Sequence, residues 1–447
     1  MSSFPPFERA QAYLVSTISE ALSPRTSYKL DRMRALLAEL GDPHRAYPVV
    51  HIGGTSGKTS TSTMVASILQ AAGHTTGLHT KPHLHSMTER ARVDGAEISQ
   101  ERFAGLFEEM LPVFDRVTPE YGRPTYYETL LALAFLYFAR ERVDVAVIEV
   151  GLGGRLDGTN VVEPEVAAIT SVGFDHTDVL GDTIEAIARE KGGIAKRGAP
   201  LVVAANDPAA LRVLSECALA AGAPMVRVRD VVSMQPLLAE PPWAQAFEAV
   251  TASHRYRVRL TVHGLFQREN AATAIAIVER LRASLQPSAD AVERGLSAAA
   301  IPGRMEMFED GGVTLVYDIA HNVEKASYLA VSLRDLFPGR RITYVLAVGE
   351  SKDAAHILEQ LATAGTDAVT TRFSTEGRTA VDALALAAMA RSAGMAADAV
   401  EPAAAAFAAA RQRAASGDVV VVTGSTFLVA ELRDAWLRDG CAASGAH

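Results

Sequence analysis

The sequence predicts an α/β protein of two domains, each built around a mostly parallel sheet. Short apolar runs rich in β-branched residues alternate with helical patterns, which is typical of doubly wound folds. The run Val49–Ile52 leads directly into a glycine-rich turn and a helix start. The alternation restarts near Ile301, so we place a first domain at residues 1–300 and a smaller second domain at residues 301–447.

Length and composition are those of a globular chain with an ample core. The 447 residues leave room for two or three domains, and 49% of them are hydrophobic while 21% are charged. The formal net charge of -9 provides no basic surface for nucleic acid or for an anionic membrane. We therefore expect small-molecule substrates, no nucleic-acid or membrane partner, and a monomer.

Cysteine content and the N-terminal segment indicate the compartment. The two cysteines, Cys217 and Cys441, are far apart in sequence, which fits a reducing environment without a disulfide framework. The segment MSSFPPFERAQAY contains acid, base and proline but no apolar core, unlike a signal peptide. No run approaches the roughly 20 apolar residues of a membrane span. We expect a cytoplasmic protein.

Two helical patterns, Phe7–Glu20 and Ser27–Leu40, lead to a phosphate-binding loop. Glycines after the first strand leave backbone N–H groups free to surround an oxyanion, and the following helix points its N-terminus at that anion. Lys58 can reach the β- and γ-phosphates, and the Thr59 hydroxyl can ligate Mg²⁺. The candidate nucleotide-binding residues are Gly54, Thr55, Ser56, Gly57, Lys58, Thr59 and Ser60.

The loop is shorter than the strict G-x-x-x-x-G-K-[ST] pattern, because Ile52 stands five residues before Gly57. An ordinary βα turn is the alternative interpretation. Strand, glycines, Lys-Thr pair and helix start all agree, however, and together they favour binding of nucleotide phosphate. The first domain is thus predicted to be a P-loop domain.

Polar residues follow later strands of the same domain. A polar, histidine-bearing loop, Lys81–Gly95, follows the strand Thr75–Thr80, and Glu149 ends the buried strand Val143–Val150. Asp175 and His176 follow the strand Val166–Ser171. Ligands of doubly wound sheets bind at the carboxyl ends of strands, where a carboxylate and an imidazole can hold Mg²⁺. Alternatively, Glu149 caps or pairs structurally and His176 is a hydrogen-bonded turn residue.

Two more residues of the first domain stand at helix ends. Lys191 lies in the last turn of the helix predicted from Thr183. A purely structural role is the alternative interpretation, because a lysine at a helix C-terminus balances the helix dipole. Asn270 lies near the start of a long, amphipathic helix predicted over Gly264–Leu281.

The second domain is predicted to be a smaller, Rossmann-like α/β domain. Its strands, Val313–Asp318, Ile342–Val348, Ala368–Thr371 and Val419–Thr423, alternate with helices. It lacks a glycine-rich dinucleotide fingerprint, so a second nucleotide is not implied. Polar clusters at its strand ends are Asp318–Asn322 and Gly349–Asp353.

A set of motifs resembles the folylpolyglutamate synthase and dihydrofolate synthase family, within the Mur ligase superfamily. The resemblance covers nearly the whole chain and keeps the family's order. The motifs that carry it are HIGGTSGKTST, EVGLGGRLDGTN, GFDHTDVLG, AREKGGIAK, PGRMEM, DIAHN and VVTGSTFLVAEL, and TSYKLDRMRALLAEL resembles the family's N-terminal substrate segment.

The resemblance implies ATP and Mg²⁺ as cofactors and assigns residue roles. Lys58, Lys191 and His321 would be catalytic, with Lys191 carbamylated and His321 on the phosphate side. Asn270 and Arg304 would contact ATP, and Asp318 the ribose region. Thr59, Glu149 and His176 would bind the metal. The residues on the side of the pterin or folate acid would be Lys81, His83, Tyr126, Tyr127 and Asp157.

The sequence departs from the family pattern at four positions. Lys81 replaces the usual serine of Ser-Pro-His-Leu and adds a cation. Phe266 replaces the histidine of H-Q-x-x-N, and Ile319 and Val323 replace the glycine and proline of the DGAHNP pattern. The tyrosines stand where the family places an aromatic residue against the pterin, although packing at a helix start would also explain them.

The resemblance implies an ATP- and Mg²⁺-dependent amide ligase. It would join L-glutamate to dihydropteroate, to reduced folates or to both, through an acyl phosphate. One alternative is the same chemistry on another acid. The other is a P-loop ATPase or kinase without amide formation.

Overall fold

The computed structural model describes residues 6–17, 30–237, 245–264, 266–375 and 378–443. The chain divides into two compact units. Unit 1 comprises Met1–Leu238, Ala246–Leu260 and Phe266–Ala299, and unit 2 comprises Ala239–Gln245, Thr261–Leu265 and Ala300–His447. Among the described residues, no helix is both long enough and apolar enough to cross a membrane.

The strands of the first part of the chain are β1 (Val49–Gly53), β2 (Thr76–His79), β3 (Arg92–Val93), β4 (Ala96–Glu97), β5 (Val145–Glu149), β6 (Val166–Ile169), β7 (Leu201–Val203), β8 (Met225–Arg227), β9 (Ser233–Pro236), β10 (Gln245–Val250) and β11 (Arg255–Leu260). Its helices are α1 (Pro6–Ser16), α2 (Leu30–Glu39), α3 (Lys58–Ala71), α4 (Gln100–Tyr121), α5 (Tyr126–Arg140), α6 (Thr177–Leu180), α7 (Ile184–Gly192), α8 (Pro208–Ala221), α9 (Val228–Val231), α10 (Phe266–Val278) and α11 (Ala289–Ala298). Short 3₁₀ turns lie at Pro43–Arg45, Met87–Arg90, Gly158–Val161 and Ala283–Leu285.

The main sheet of unit 1 has eight strands within the described residues, in the order β4-β3-β2-β5-β1-β6-β7-β8. The six strands from β2 to β8 in this order are parallel, and β3 and β4 add an antiparallel hairpin at one edge. Every residue of β1 and β5 is buried, as continuous apolar strands covered on both faces should be. The α/β class predicted from the sequence is therefore confirmed.

Two features of unit 1 differ from the predictions. Strands β9, β10 and β11 form a separate sheet in which β10 runs antiparallel to β9. The sequence predicts a β run over Tyr256–Val262, which corresponds to β11, and no strand at β9 or β10. Helix α10 is buried on all faces from Asn270 to Val278 rather than amphipathic, because it packs on α3 and against β7 and α9. The predicted start of the second helix, Ser27, lies outside the described residues.

Unit 2 contains a six-stranded sheet within the described residues. Its strands are β12 (Glu306–Asp310), β13 (Val313–Tyr317), β14 (Ile342–Leu346), β15 (Asp367–Thr370), β16 (Ala396–Ala399) and β17 (Val419–Thr423), in the order β12-β13-β17-β14-β15-β16. Only β12 runs antiparallel. Its helices are α12 (Val323–Leu336), α13 (Ala354–Ala362), α14 (Ala383–Ser392), α15 (Ala403–Arg413) and α16 (Thr426–Ala443). The smaller, mostly parallel second sheet is confirmed, whereas β12 and β16 were not predicted.

Candidate active site

The carboxyl ends of four adjacent strands in unit 1 converge on one edge of the sheet. Strand β1 lies between β5 and β6, with Ile52 opposite Glu149 and Gly53 opposite Ile169. Strand β2 lies on the far side of β5 and ends with His79 opposite Ile148. The segments that follow these strands therefore meet where doubly wound sheets bind ligands.

The phosphate-binding loop follows β1 and requires two of its glycines. Gly54 has φ +144° and Gly57 has φ +83°, backbone conformations that side chains rarely adopt. A Cβ atom on Gly57 would lie 2.4 Å from Oδ1 of Asn270, and one on Gly54 would lie 2.0 Å from Oγ1 of Thr170. Asn270 thus packs directly beside the loop.

A segment after β6 holds this loop in place. The Ser56 N–H donates to Ser171 Oγ at 2.8 Å, and Thr170 Oγ1 donates to the Ser56 carbonyl at 2.6 Å. Thr55 also accepts from the Gly173 N–H at 3.0 Å through its hydroxyl. Sequence reasoning missed Thr170 and Ser171, and their only signal was their place at the end of a strand beside β1.

Lys58 and Ser60 begin helix α3 directly after Gly57. The Lys58 ammonium donates to the carbonyls of Gly54 at 2.8 Å and Thr55 at 3.1 Å, so its charge lies over the loop. Ser60 is buried in the first turn. The helix N-terminus, the lysine and the N–H groups of the loop together favour an anion at this position.

Glu149 is the buried carboxylate of the site, with an exposed fraction of 1%. It accepts from the Thr59 hydroxyl at 3.1 Å and from the Lys81 N–H at 3.3 Å. Burial raises the pKa of Glu149, while the charges of Lys58 and Lys81 oppose that rise. A hydroxyl and a carboxylate fit Mg²⁺, which usually takes one or two protein oxygens and fills its other positions with phosphate and water.

His176, the third predicted metal residue, lies in the segment before α6. It adopts a left-handed conformation with φ 51°, and its Nε2 atom is 3.8 Å from Oδ1 of Asp175. Its side chain is half exposed. No group of three or more His, Cys, Asp or Glu side chains suited to a metal occurs in the described part of the chain.

The polar loop after β2 brings a cation and an aromatic ring together. Arg90 donates through Nε to Nδ1 of His83 at 2.9 Å, and its guanidinium carbon lies 5.4 Å from the centre of the Tyr126 ring. Burial and the charge of Arg90 lower the pKa of His83 to about 4, so this imidazole is neutral at pH 7. Sequence reasoning missed Arg90, since a single arginine in a polar loop carries no motif.

Tyr127 and Asp157 belong to a buried network rather than to an open surface. The Tyr127 hydroxyl donates to Oδ1 of Asp157 at 3.0 Å, and Oδ2 accepts from the Leu152 N–H at 2.7 Å. Thr159 donates to the same carboxylate and contacts Nε2 of the buried His51 at 2.9 Å. Asp157 therefore organises the glycine-rich loop after β5.

Lys191 is buried in the last turn of α7, with an exposed fraction of 3%. The glycine-rich loop after β5 packs against this turn, and a Cβ atom on Gly154 would lie 2.9 Å from the Lys191 carbonyl oxygen. The Arg155 N–H donates to the Glu190 carbonyl at 2.8 Å. The chain thus holds Lys191 close to a loop that begins at Glu149.

In unit 2, Asp318 and His321 follow β13, and Arg304, which lies just before β12, is within electrostatic reach of both. The Asp318 carboxylate accepts from the N–H groups of Met305 at 2.9 Å and Ala320 at 2.8 Å. Burial raises the pKa of Asp318, and the Arg304 charge opposes this most strongly. Burial lowers the pKa of His321 to about 3.

The hydrogen bonds of His321 define its tautomer. Its Nδ1 atom is 2.8 Å from the Ile319 carbonyl and must donate, which leaves Nε2 as an acceptor 3.4 Å from the Lys325 ammonium. His321 is therefore neutral, and the positive charge beside it belongs to Lys325. Sequence reasoning did not single out Lys325.

Comparisons with known proteins agree with this architecture. The Mur ligase middle domain matches residues 52–278, and the Mur ligase, glutamate ligase domain matches residues 303–426. Dihydrofolate synthase/folylpolyglutamate synthase of Bacillus subtilis is 37% identical over 367 residues, which cover 80% of this chain and 84% of the relative.

Solved structures of such enzymes have the same fold. Folylpolyglutamate synthase of Mycobacterium tuberculosis complexed with ADP has a TM-score of 0.86 at 32% identity, covering 96% of this chain and 98% of that one. Escherichia coli FolC in complex with DHPP and ADP has a TM-score of 0.84 at 28% identity, covering 98% and 99%.

A phosphate-loop unit followed in sequence by a second α/β unit, with matches to both ligase domains, defines this protein as a Mur ligase. Within that class, the chain belongs to the folylpolyglutamate synthase and dihydrofolate synthase family. The family and the ligase class predicted from the sequence are confirmed.

Proposed function

We propose that this protein is an ATP- and Mg²⁺-dependent ligase that joins L-glutamate to dihydropteroate, to a reduced folate or to both. The observation that carries the proposal is the buried Glu149 carboxylate, 3.1 Å from the Thr59 hydroxyl at the mouth of the phosphate-binding loop. Membership of the family supplies the choice of acid and of amino acid.

The reaction needs ATP because a carboxylate is a poor acyl donor whose leaving group would be oxide. Transfer of the γ-phosphoryl group from ATP to the acid gives an acyl phosphate and ADP. The glutamate amine then attacks the acyl carbon, an amide bond forms and phosphate leaves. Phosphoryl transfer depends mainly on positioning and on offsetting negative charge.

Unit 1 provides groups suited to that task. The Lys58 ammonium, the loop N–H groups and the N-terminus of α3 would hold the phosphates, and Asn270 would support the loop. Thr59, Glu149 and His176 would hold Mg²⁺, which when bound supplies positive charge to the phosphate oxygens. Lys191 would act as a carbamate.

The acid would be bound by the loop after β2. Arg90 and the Tyr126 ring offer a cation and an aromatic face, and neutral His83 orients the arginine. Lys81 would face the acid or the metal, while Tyr127 and Asp157 would position the neighbouring loop.

The proposal extends to unit 2 and to the whole chain. Arg304 and Asp318 would contact the nucleotide, and the neutral His321 with Lys325 would serve its phosphate side. Residues 1–300 would then form an ATP-binding domain and residues 301–447 a ligase domain. The low cysteine content supports a cytoplasmic location, and we propose a monomer.

Mass spectrometry of the products tests this function. Purified protein would be incubated with ATP, Mg²⁺, glutamate and a panel of pterin and non-pterin acids. We expect a product that carries one added glutamate when a pterin or folate acid is supplied, and no such product from the other acids. Release of ADP should require both acid and glutamate. Lys58→Ala should fold but give no product.

Two results would contradict the proposal. Product formation only with a non-pterin acid would assign the same chemistry to another substrate. Hydrolysis of ATP that is unaffected by acid or glutamate would instead indicate an ATPase.

A further inference from the structure

The loop that carries Arg304, Ile301–Met305, has an unusual backbone. Gly303 has φ +66°, and Met305 has φ +49° although it bears a side chain. A residue other than glycine rarely adopts this conformation unless its surroundings impose it. We call this segment the Arg304 loop, and two sets of contacts hold its shape.

One set of contacts comes from the end of β13. The Asp318 carboxylate accepts from the Met305 N–H at 2.9 Å, and the Ile319 N–H donates to the Gly303 carbonyl at 2.9 Å. These bonds fix one side of the loop to the residues proposed to contact the nucleotide.

A second set of contacts involves a residue near the far end of the chain. Glu306 accepts from the Gly303 N–H at 2.9 Å through Oε2. The same oxygen accepts from Nε of Arg433 at 2.6 Å, and Oε1 accepts from Nη2 of Arg433 at 2.7 Å. Arg433 lies on α16, and the side chains of this pair are only 13% and 20% exposed.

A paired fork of this kind fixes the orientation of a carboxylate as well as its charge. Because Oε2 is shared, the carboxylate that Arg433 orients is also the acceptor for the Gly303 N–H. Loss of Arg433 would leave a partly buried carboxylate unpaired and free to turn away from Gly303. The Arg304 loop would then lose this anchor and keep its bonds to the β13 side.

We infer that Glu306 and Arg433 are a positioning pair that holds the Arg304 loop in the shape that binds nucleotide. The inference rests on the proposed function, because it takes Arg304 as a nucleotide contact. Neither member of the pair needs to touch the nucleotide. Arg433 acts through Glu306, and Glu306 acts through Gly303.

Calorimetric titration with ADP and steady-state kinetics with varied ATP test the inference. Both use the full-length enzyme, at a temperature where circular dichroism shows that all variants are folded. Arg433→Met should raise the ADP dissociation constant and the KM for ATP about tenfold, equivalent to about 1.4 kcal/mol of binding free energy. It should leave kcat at saturating ATP within about twofold. Arg433→Lys retains charge but not the fork, so its values should lie between those of Met and wild type.

A second paired fork in unit 2, whose arginine is 49% exposed, provides a control. Arg341 donates to Asp367 at 2.7 and 3.2 Å, next to strands β14 and β15. Arg341→Met removes the same chemistry away from the Arg304 loop and should leave ADP affinity unchanged. Glu306→Gln, which retains an acceptor for Gly303, should weaken ADP binding less than Arg433→Met and serves if Arg433→Met does not fold.

Arg304→Ala separates failure of the inference from failure of the proposed function. If Arg304→Ala weakens ADP binding and folded Arg433→Met does not, the positioning pair is wrong and the function stands. If Arg304→Ala leaves ADP affinity unchanged, the loop is not a nucleotide contact and the inference is overturned with that assignment. Equal losses in Arg433→Met and Arg341→Met would show a general structural effect and also overturn it.

Discussion

At the scale of single residues, we expect the charges around Glu149 to determine how strongly the site binds a cation. The carboxylate is buried, shares a hydrogen bond with Thr59 and lies within the electrostatic reach of Lys58 and Lys81. At this strand edge the carboxylate would attract a bound metal cation, whereas the two ammonium groups would repel it. Their removal should therefore shift metal dependence in opposite directions.

Glu149→Gln should raise the Mg²⁺ concentration needed for half-maximal activity about tenfold or more. The amide keeps the shape of the side chain but removes the charge, and a hydrogen bond or contact to a charged group contributes about 1.5–3 kcal/mol. A Mg²⁺ titration of turnover measures the shift. Binding of ADP in the absence of metal is the control and should not weaken. An unaltered titration would leave Glu149 with a structural role.

Lys81→Ser should lower that Mg²⁺ requirement, opposite in sign to Glu149→Gln. Removing a nearby cation relieves a repulsion on the order of 1 kcal/mol, a factor of about five in affinity. Lys81→Met, which keeps length without charge, should match Lys81→Ser if charge is responsible. If both variants retain wild-type constants for Mg²⁺ and for every acid, Lys81 is a solvated surface residue.

At the scale of elements, helix α3 has a positive-φ glycine at each end, and only one of them lies at the site. Gly57 precedes the helix with Asn270 against it, whereas Gly73 follows the helix with φ +91° and has open space, within 4 Å, where a Cβ atom would lie. Substitutions at the two glycines therefore distinguish the effect of backbone strain from the effect of contact with Asn270.

Gly57→Ala should lower kcat/KM about a hundredfold, because Asn270 and the loop must both shift. Gly73→Ala should cost only the strain of a left-handed alanine, about 1–2 kcal/mol of unfolding free energy, and leave turnover intact. Denaturant unfolding and initial rates measure the two effects. Equal activity in both variants would argue against the loop geometry as the phosphate site.

The end of helix α7 carries the second prediction at this scale, carbamylation of Lys191. A buried ammonium would repel a metal near Glu149, whereas a carbamate offers the oxygen ligands that Mg²⁺ prefers. An NMR signal from labelled CO₂ should appear in wild type and in Lys196→Ala, and be absent in Lys191→Ala. Lys191→Ala should lose most activity yet bind ADP, and acetate should restore a little.

Two findings would contradict carbamylation. A plain ammonium at Lys191 in an active, metal-loaded enzyme is one. Full activity after exhaustive removal of CO₂ is the other.

At the scale of the whole molecule, buried histidines make stability depend on pH. Burial lowers the pKa of His51 and of His79 to about 4, from an ordinary value of 6.5. Between these values the unfolded chain takes up protons that the folded chain does not. The free energy of unfolding is therefore unaffected by these groups above about pH 7 and falls as pH decreases from 6.5 toward 4.

His79→Gln should reduce the slope of the unfolding free energy against pH, on the acid side, by roughly 1.4 kcal/mol per pH unit. Urea unfolding between about pH 7.5 and 4.5 measures the slope, as a difference that is insensitive to any constant loss of stability. His356→Gln, at an exposed position, is the control. An unchanged slope in His79→Gln would mean that this imidazole has the same pKa in the folded protein as in the unfolded chain.

The sequence predicted the regular parts of the fold and the motif-bearing parts of the site. Strand β1, the glycines after it and Glu149 share one signal, an apolar run that ends in residues of known chemistry. Strand β9 is exposed at every position and therefore gave no apolar run. Sequence reasoning missed Thr170, Ser171 and Arg90 because their importance depends on which strands are neighbours in the sheet. The presence of common polar residues does not reveal the strand order.

The contacts that hold the phosphate-binding loop in place also set when ATP binding can begin during synthesis. The Ser56 N–H finds its acceptor at Ser171, 115 residues later in the chain, and Thr61 meets Asn270 after 209 residues. At about 5–20 residues per second, a ribosome needs roughly 10 s to reach the first of these partners. A growing chain that already displays the complete glycine motif would thus remain unable to hold ATP until the later strands have emerged.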